Sequence, residues 1–122
     1  MGELSHGSPG FAVDGELLRH NLRRIVSRGI HPAGTARQLL AILASGDRRA
    51  LLARIVAPTL VVHGSDDPLL PVAAGRDTAL HIPGARLEII SGMGHDLPPG
   101  VQPLLVERIV EQCRGALRVP AP

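Results

Sequence analysis

Two short segments of this chain carry chemistry-bearing side chains at the ends of apolar runs. They are Thr59-Leu-Val-Val-His-Gly-Ser-Asp-Asp-Pro-Leu-Leu-Pro71 and Ile90-Ser-Gly-Met-Gly-His-Asp-Leu-Pro98. Each reads as a strand running into a glycine-bearing loop, the first offering an Asp and the second a His. A carboxylate and an imidazole held together do a particular kind of work. The carboxylate accepts from one ring nitrogen and fixes the tautomer, while the other nitrogen takes a proton from a hydroxyl nucleophile. The first loop offers Asp66 and Asp67 as candidate carboxylates, and the second offers His95 as the imidazole. Asp66 is the alternative acid, and its competing reading is a solvated or capping carboxylate. Asp67 itself, standing before Pro68, has the competing reading of a turn former.

The remaining polar residues are read structurally. Asp96 adjoins His95, and neighbouring side chains point apart, so it does not orient the ring. His63 closes an apolar run and reads as a packed or hydrogen-bonded residue. His6, His20, His31 and His81 have no metal-ligand spacing, so neither a metal nor a cofactor is expected. The six serines are Ser5, Ser8, Ser27, Ser45, Ser65 and Ser91, and none has Gly at both −2 and +2. Ser8, in His6-Gly-Ser-Pro-Gly10, comes closest but lacks the first Gly and the strand–turn–helix that exposes a nucleophile. Cys113 falls inside the last helix and is a poor nucleophile.

The elements that must position these loops follow from periodicity and punctuation. Residues 1–13 are rich in Gly, Ser and Pro and read as irregular or frayed. A helix from Asp14 carries Leu17, Leu18, Leu22, Ile25 and Val26 and stops at Gly29. A second helix is capped by Thr35, carries Leu39, Leu40, Ile42 and Leu43, and ends at Gly46. A short third one runs from an Asp47 cap through Arg54. Strands are expected at Thr59–His63 and Arg86–Ile90, separated by a helix over Val72–His81. The last helix spans Gly100–Arg114, packing through Leu105, Val106, Ile109, Val110 and Cys113, with Pro103 in its first turn. Strand, crossover helix, strand, helix is the unit of a parallel doubly wound sheet.

From about Pro32 onward the chain resembles the last third of an α/β-fold hydrolase, of the esterase-like branch that includes anthracycline methyl esterases. The matching stretches are Arg37–Arg48, Ile55–Leu60, His63–Pro71, Ile82–Arg86 and Gly92–Pro98. The resemblance implies an acid within G-x-x-D-x-x-x-P after the seventh strand, which lands on Asp67 and closes on Pro71. It implies a base within G-x-G-H after the eighth strand, which lands on His95. It further implies a partial α/β-hydrolase fold: the last two parallel strands with flanking helices, plus a remnant of a helical cap. Residues 1–50 would be the irregular N-terminus and cap remnant, and 51–122 the C-terminal portion of the core. Parallel strands end on one sheet edge, so their loops meet there. Gly64, Gly92 and Gly94 suit sharp turns in them.

Composition narrows the remaining classes. The chain has 122 residues, a net charge of +2, and Phe11 as its one aromatic residue. A basic stripe without stacking aromatics does not suit nucleic acid. Arg19, Arg23, Arg24 and Arg28 form a solvated face, and Pro32 interrupts any helix-turn-helix. A lone cysteine, no signal-peptide pattern and no long apolar run point to a cytoplasmic protein without a membrane partner. The expected function is therefore the acid and base of a Ser-His-Asp triad for carboxylic esters, without the G-x-S-x-G nucleophile and inactive by itself. A small-molecule ester is the expected partner only when the missing N-terminal part completes the site. The alternative is a non-catalytic module that pairs, or self-associates, through an exposed strand edge.

Overall fold

A computed structural model of the chain describes residues 7–117. They fall into two compact units, Val13–Arg48 and the described residues on either side of it. The first unit holds α1 (Gly15–Ser27) and α2 (Pro32–Ala44). Asp14 starts α1 by accepting from the Glu16 and Leu17 amides at 2.9 and 3.1 Å, relieving two of the unpaired donors at a helix N-terminus. The start of α2 departs from expectation. It begins at Pro32, not after a Thr35 cap, because the fixed φ of proline suits the first helical position and its missing N–H costs nothing there. Neither helix has a buried residue, and Leu17, Leu22 and Leu39 are exposed.

The second unit carries α3 (Arg49–Leu52), β1 (Leu60–Gly64), α4 (Val72–His81), β2 (Arg86–Ile90) and α5 (Gln102–Leu117). The third helix is a single turn, shorter than the sequence suggested. β1 and β2 pair in parallel, with Leu60 opposite Arg86 and Gly64 opposite Ile90. This is the partial α/β fold: two parallel strands with helices around them.

Strand alternation divides the sheet into two faces. His63 on one face meets Gly75 of α4. On the other, Val62 and Ile90 join Met93, Val101, Phe11, Leu104 and Leu105 in the hydrophobic core. Glu88 lies on that second face, two residues from Ile90, and pairs with Arg108 of α5 at 3.2 Å.

That ion pair explains where α5 departs from expectation. Leu104, Leu105, Arg108, Gln112 and Ala116 are its half-buried residues, whereas Val106, Ile109, Val110 and Cys113 are exposed. Arg108, held by Glu88 and Glu111, and Arg86, beside Gln112 and Glu111, set the rotation of the helix. The N-terminal segment, expected to be irregular or frayed, has no regular structure over its described residues 7–13 but is held in place. Ser8 is only 4% exposed, and Phe11 packs against the core.

The buried core is small, and β1 pairs with one strand among the described residues. Two strands make a marginal sheet with open edges. Truncating the fully buried Val101 to Ala is expected to cost about 2 kcal/mol, read as a lower urea midpoint. Sedimentation is expected to show concentration-dependent self-association. A dilute monomer with strongly protected amides from Leu60 to Val62 would contradict it.

Candidate active site

The site is assembled where both strands end. Beyond β1 the chain turns against the β2 loop: the Ser65 amide donates to the Ile90 carbonyl at 3.0 Å, and the Asp66 amide to Met93 at 3.0 Å. Gly64 permits this approach, since a Cβ there would lie 2.2 Å from the Met93 carbonyl oxygen. Its role is close contact and not an unusual turn; of the three glycines expected to make sharp turns, only Gly92 has a positive φ, 73°.

Asp67 is held from both sides. Its Oδ1 accepts from the Leu69 and Leu70 amides at 2.8 and 3.0 Å, and its Oδ2 lies 2.8 Å from Nδ1 of His95. A carboxylate accepts, so Nδ1 carries the proton, and in the neutral ring Nε2 keeps a lone pair. Nε2 has no hydrogen-bond partner among the described residues. The Asp67 side chain is 6% exposed and that of His95 45%, a shielded carboxylate beneath an accessible imidazole. Burial pushes the Asp67 carboxyl upward. The Leu70 amide, the His95 hydrogen bond, the Leu69 amide and the His95 charge together outweigh it and hold the pKa at about 2.

The other candidates are placed elsewhere. Asp66 is exposed and accepts from the Ser65 hydroxyl and, at 3.1 Å, from the Gly92 amide, so it does not reach the ring. Asp96 accepts from Ser8 at 2.6 Å. His63 donates from Nε2 to the Leu70 carbonyl at 2.9 Å, and the same nitrogen lies 4.0 Å from Asp67 Oδ2. It thus braces the acid loop, a role visible only once residues 63 and 70 are brought together. No described serine hydroxyl is hydrogen-bonded to His95; Ser5 and His6 lie outside the described residues. Among the described residues, no group of three or more His, Cys, Asp or Glu is placed to hold a metal. Shallow depressions on α1, beside Arg19 and His20, and on α2, beside Arg37 and Gln38, include neither Asp67 nor His95. No helix among the described residues is long and apolar enough to cross a membrane.

The Asp67 carboxyl has a folded-state pKa of about 2 against an ordinary 3.8, so on acidification the unfolded chain takes up that proton first. Its contribution to stability is complete above about pH 5 and is lost as the pH falls through 2. A carboxyl ¹³C titration is expected to place the Asp67 midpoint near 2, and a midpoint at 3.8 would contradict the geometry.

Comparison with known proteins finds several methyl ester esterases and a lipase among the relatives of this chain. The chain is 42% identical over 69 residues to rhodomycin D methylesterase of a Streptomyces species, covering 57% of this chain and 23% of that protein. It is 36% identical over 75 residues to the pimeloyl-[acyl-carrier protein] methyl ester esterase of Nitrosomonas europaea, covering 61% and 30%. It is 31% identical over 107 residues to a monoacylglycerol lipase of Mycolicibacterium smegmatis, covering 80% and 38%. The chain thus spans well under half the length of these curated relatives. No protein-family model matches it.

Proposed function

The C-terminal region of this chain is that of an α/β hydrolase of the esterase family, and from that premise we propose that Asp67 and His95 are the acid and base of a Ser-His-Asp triad acting on carboxylic esters. The 2.8 Å bond between Asp67 Oδ2 and His95 Nδ1 carries the reading. It leaves Nε2 as the base, on a side chain that is 45% exposed.

In the proposed reaction, Nε2 takes the proton of a serine hydroxyl as its oxygen attacks the ester carbonyl. The resulting imidazolium is stabilised by Asp67 and returns the proton to the departing alcohol, and a water repeats the sequence to free the acid. Asp67 stays ionised throughout, which suits a carboxyl held near pKa 2.

The serine is the part this chain does not supply. None of its six serines stands in a G-x-S-x-G turn. Two that lie near the base loop have their hydroxyl protons committed elsewhere, Ser8 to Asp96 and Ser65 to Asp66. The nucleophile and the backbone donors for the oxyanion must then come from an α/β-hydrolase N-terminal part, and a small-molecule ester binds once that part is present. By itself the chain is inactive. A cytoplasmic setting, which keeps the exposed Cys113 reduced, accompanies this reading. A second reading, a non-catalytic module that pairs through a strand edge, draws on the single partner of β1 among the described residues.

On 4-nitrophenyl butyrate the chain is expected to match its His95→Ala variant. Supplying an α/β-hydrolase N-terminal part that bears a G-x-S-x-G turn is expected to give turnover that His95→Ala abolishes. Saturable turnover by the chain alone, lost in Ser8→Ala or Ser65→Ala, would contradict the proposal. Tight pairing with that part and no turnover would favour the second reading.

A further inference from the structure

We infer that Ser8 is a positioning residue for His95, clamping the loop that carries the imidazole. The inference rests on His95 being the base, and it gives a role to the serine that the nucleophile search singled out. Ser8 is 4% exposed, although the segment around it has no regular structure. Its hydroxyl oxygen accepts from the Gly94 amide at 2.8 Å, and its proton goes to Asp96 Oδ1 at 2.6 Å. Gly94 and Asp96 are the two residues flanking His95, so one hydroxyl ties down both chain neighbours of the base.

A second attachment lies beside the first. The Gly10 amide donates to the Gly92 carbonyl at 2.8 Å. The two backbones touch there: a Cβ on Gly10 would lie 2.7 Å from the Gly92 Cα, and one on Gly92 would lie 2.6 Å from the Gly10 Cα. Phe11 then anchors the segment against the core of Ile90, Met93 and Val101. Residues 8–11 therefore grip residues 92–96 at three points across more than eighty positions of sequence.

His95 needs such support. Nearly half of its side chain is exposed, and the Asp67 bond is its one hydrogen bond among the described residues. Whether Nδ1 meets Oδ2 is then decided by where the backbone of the loop sits. A buried hydroxyl satisfied by an amide and a charged carboxylate fixes that backbone, because breaking either bond strands a polar group away from water.

The experiment is proton NMR of the full chain, following the downfield His95 Nδ1–H resonance of the Asp67 bond, with His95→Ala identifying the signal. Ser8→Ala is expected to weaken it about fivefold while the β1 and β2 amides keep their protection. Gly10→Ala, which leaves both Ser8 partners in place, is expected to weaken it similarly. Should Ser8→Ala fail to fold, Asp96→Ala at an exposed position removes one Ser8 bond without touching the core, and a weaker signal is expected there too. An unchanged signal in a folded Ser8→Ala or, failing that, Asp96→Ala chain overturns the clamp, as does the absence of the resonance from the parent chain. These results stand apart from catalysis. A completed chain that hydrolyses no ester, yet loses the resonance in Ser8→Ala, overturns the esterase reading and leaves the clamp standing.

Discussion

The parallel register of β1 on β2 is the constraint on which the site depends. With Gly64 opposite Ile90, both strands finish level, and the two loops leave the same edge of the sheet. Ser65 and Asp66 then lie against Ile90 and Met93 through backbone bonds that involve no side chain. Sliding one strand by a residue would turn every side chain to the opposite face. It would exchange His63 for Val62 beneath α4 and carry Asp67 away from His95. The absence of a side chain at Gly64 is part of the same constraint, because the Met93 carbonyl occupies the space a Cβ would need.

Electrostatics at this edge divide the work between the two partners. Asp67 is shielded, but each of its oxygens has a donor, which lets it remain charged despite burial. His95 is accessible, and its Nε2 has no hydrogen-bond partner among the described residues. Two further contacts stiffen the pair from behind: His63 on the acid loop through the Leu70 carbonyl, and Ser8 on the base loop through Gly94 and Asp96.

Much of this edge was legible in the sequence because its signals are local. Val72–His81 is bounded by Pro71 and Pro83, Arg86–Ile90 is short and apolar, and each loop is marked by glycine, so both elements fall where periodicity puts them. The choice between Asp66 and Asp67 rested on the G-x-x-D-x-x-x-P pattern of the family the chain resembles, counted from Gly64, and in the structure Asp67 is the one that reaches the ring. What escaped was decided by tertiary contact. The buried face of α5 follows Arg108 to Glu88, not the apolar stripe of the helix. Ser8 looked like part of an irregular or frayed tail, and its anchoring was not legible because its partners, Gly94 and Asp96, lie far away along the chain. The start of α2 was misplaced by four residues, since Thr35 resembles a cap and Pro32 resembles a break.

The central claim is that Asp67, and not its neighbour, is the carboxylate that makes His95 a base. It is tested most directly in a chain completed by a serine-bearing N-terminal part, by comparing kcat for Asp67→Asn and Asp66→Asn. An amide at position 67 keeps the shape but favours the wrong imidazole tautomer, so the account predicts a fall of about four orders of magnitude. It predicts a change of no more than about threefold for the exposed Asp66, whose partners are Ser65 and Gly92. Equal effects at the two positions, or a larger loss in Asp66→Asn, would contradict it.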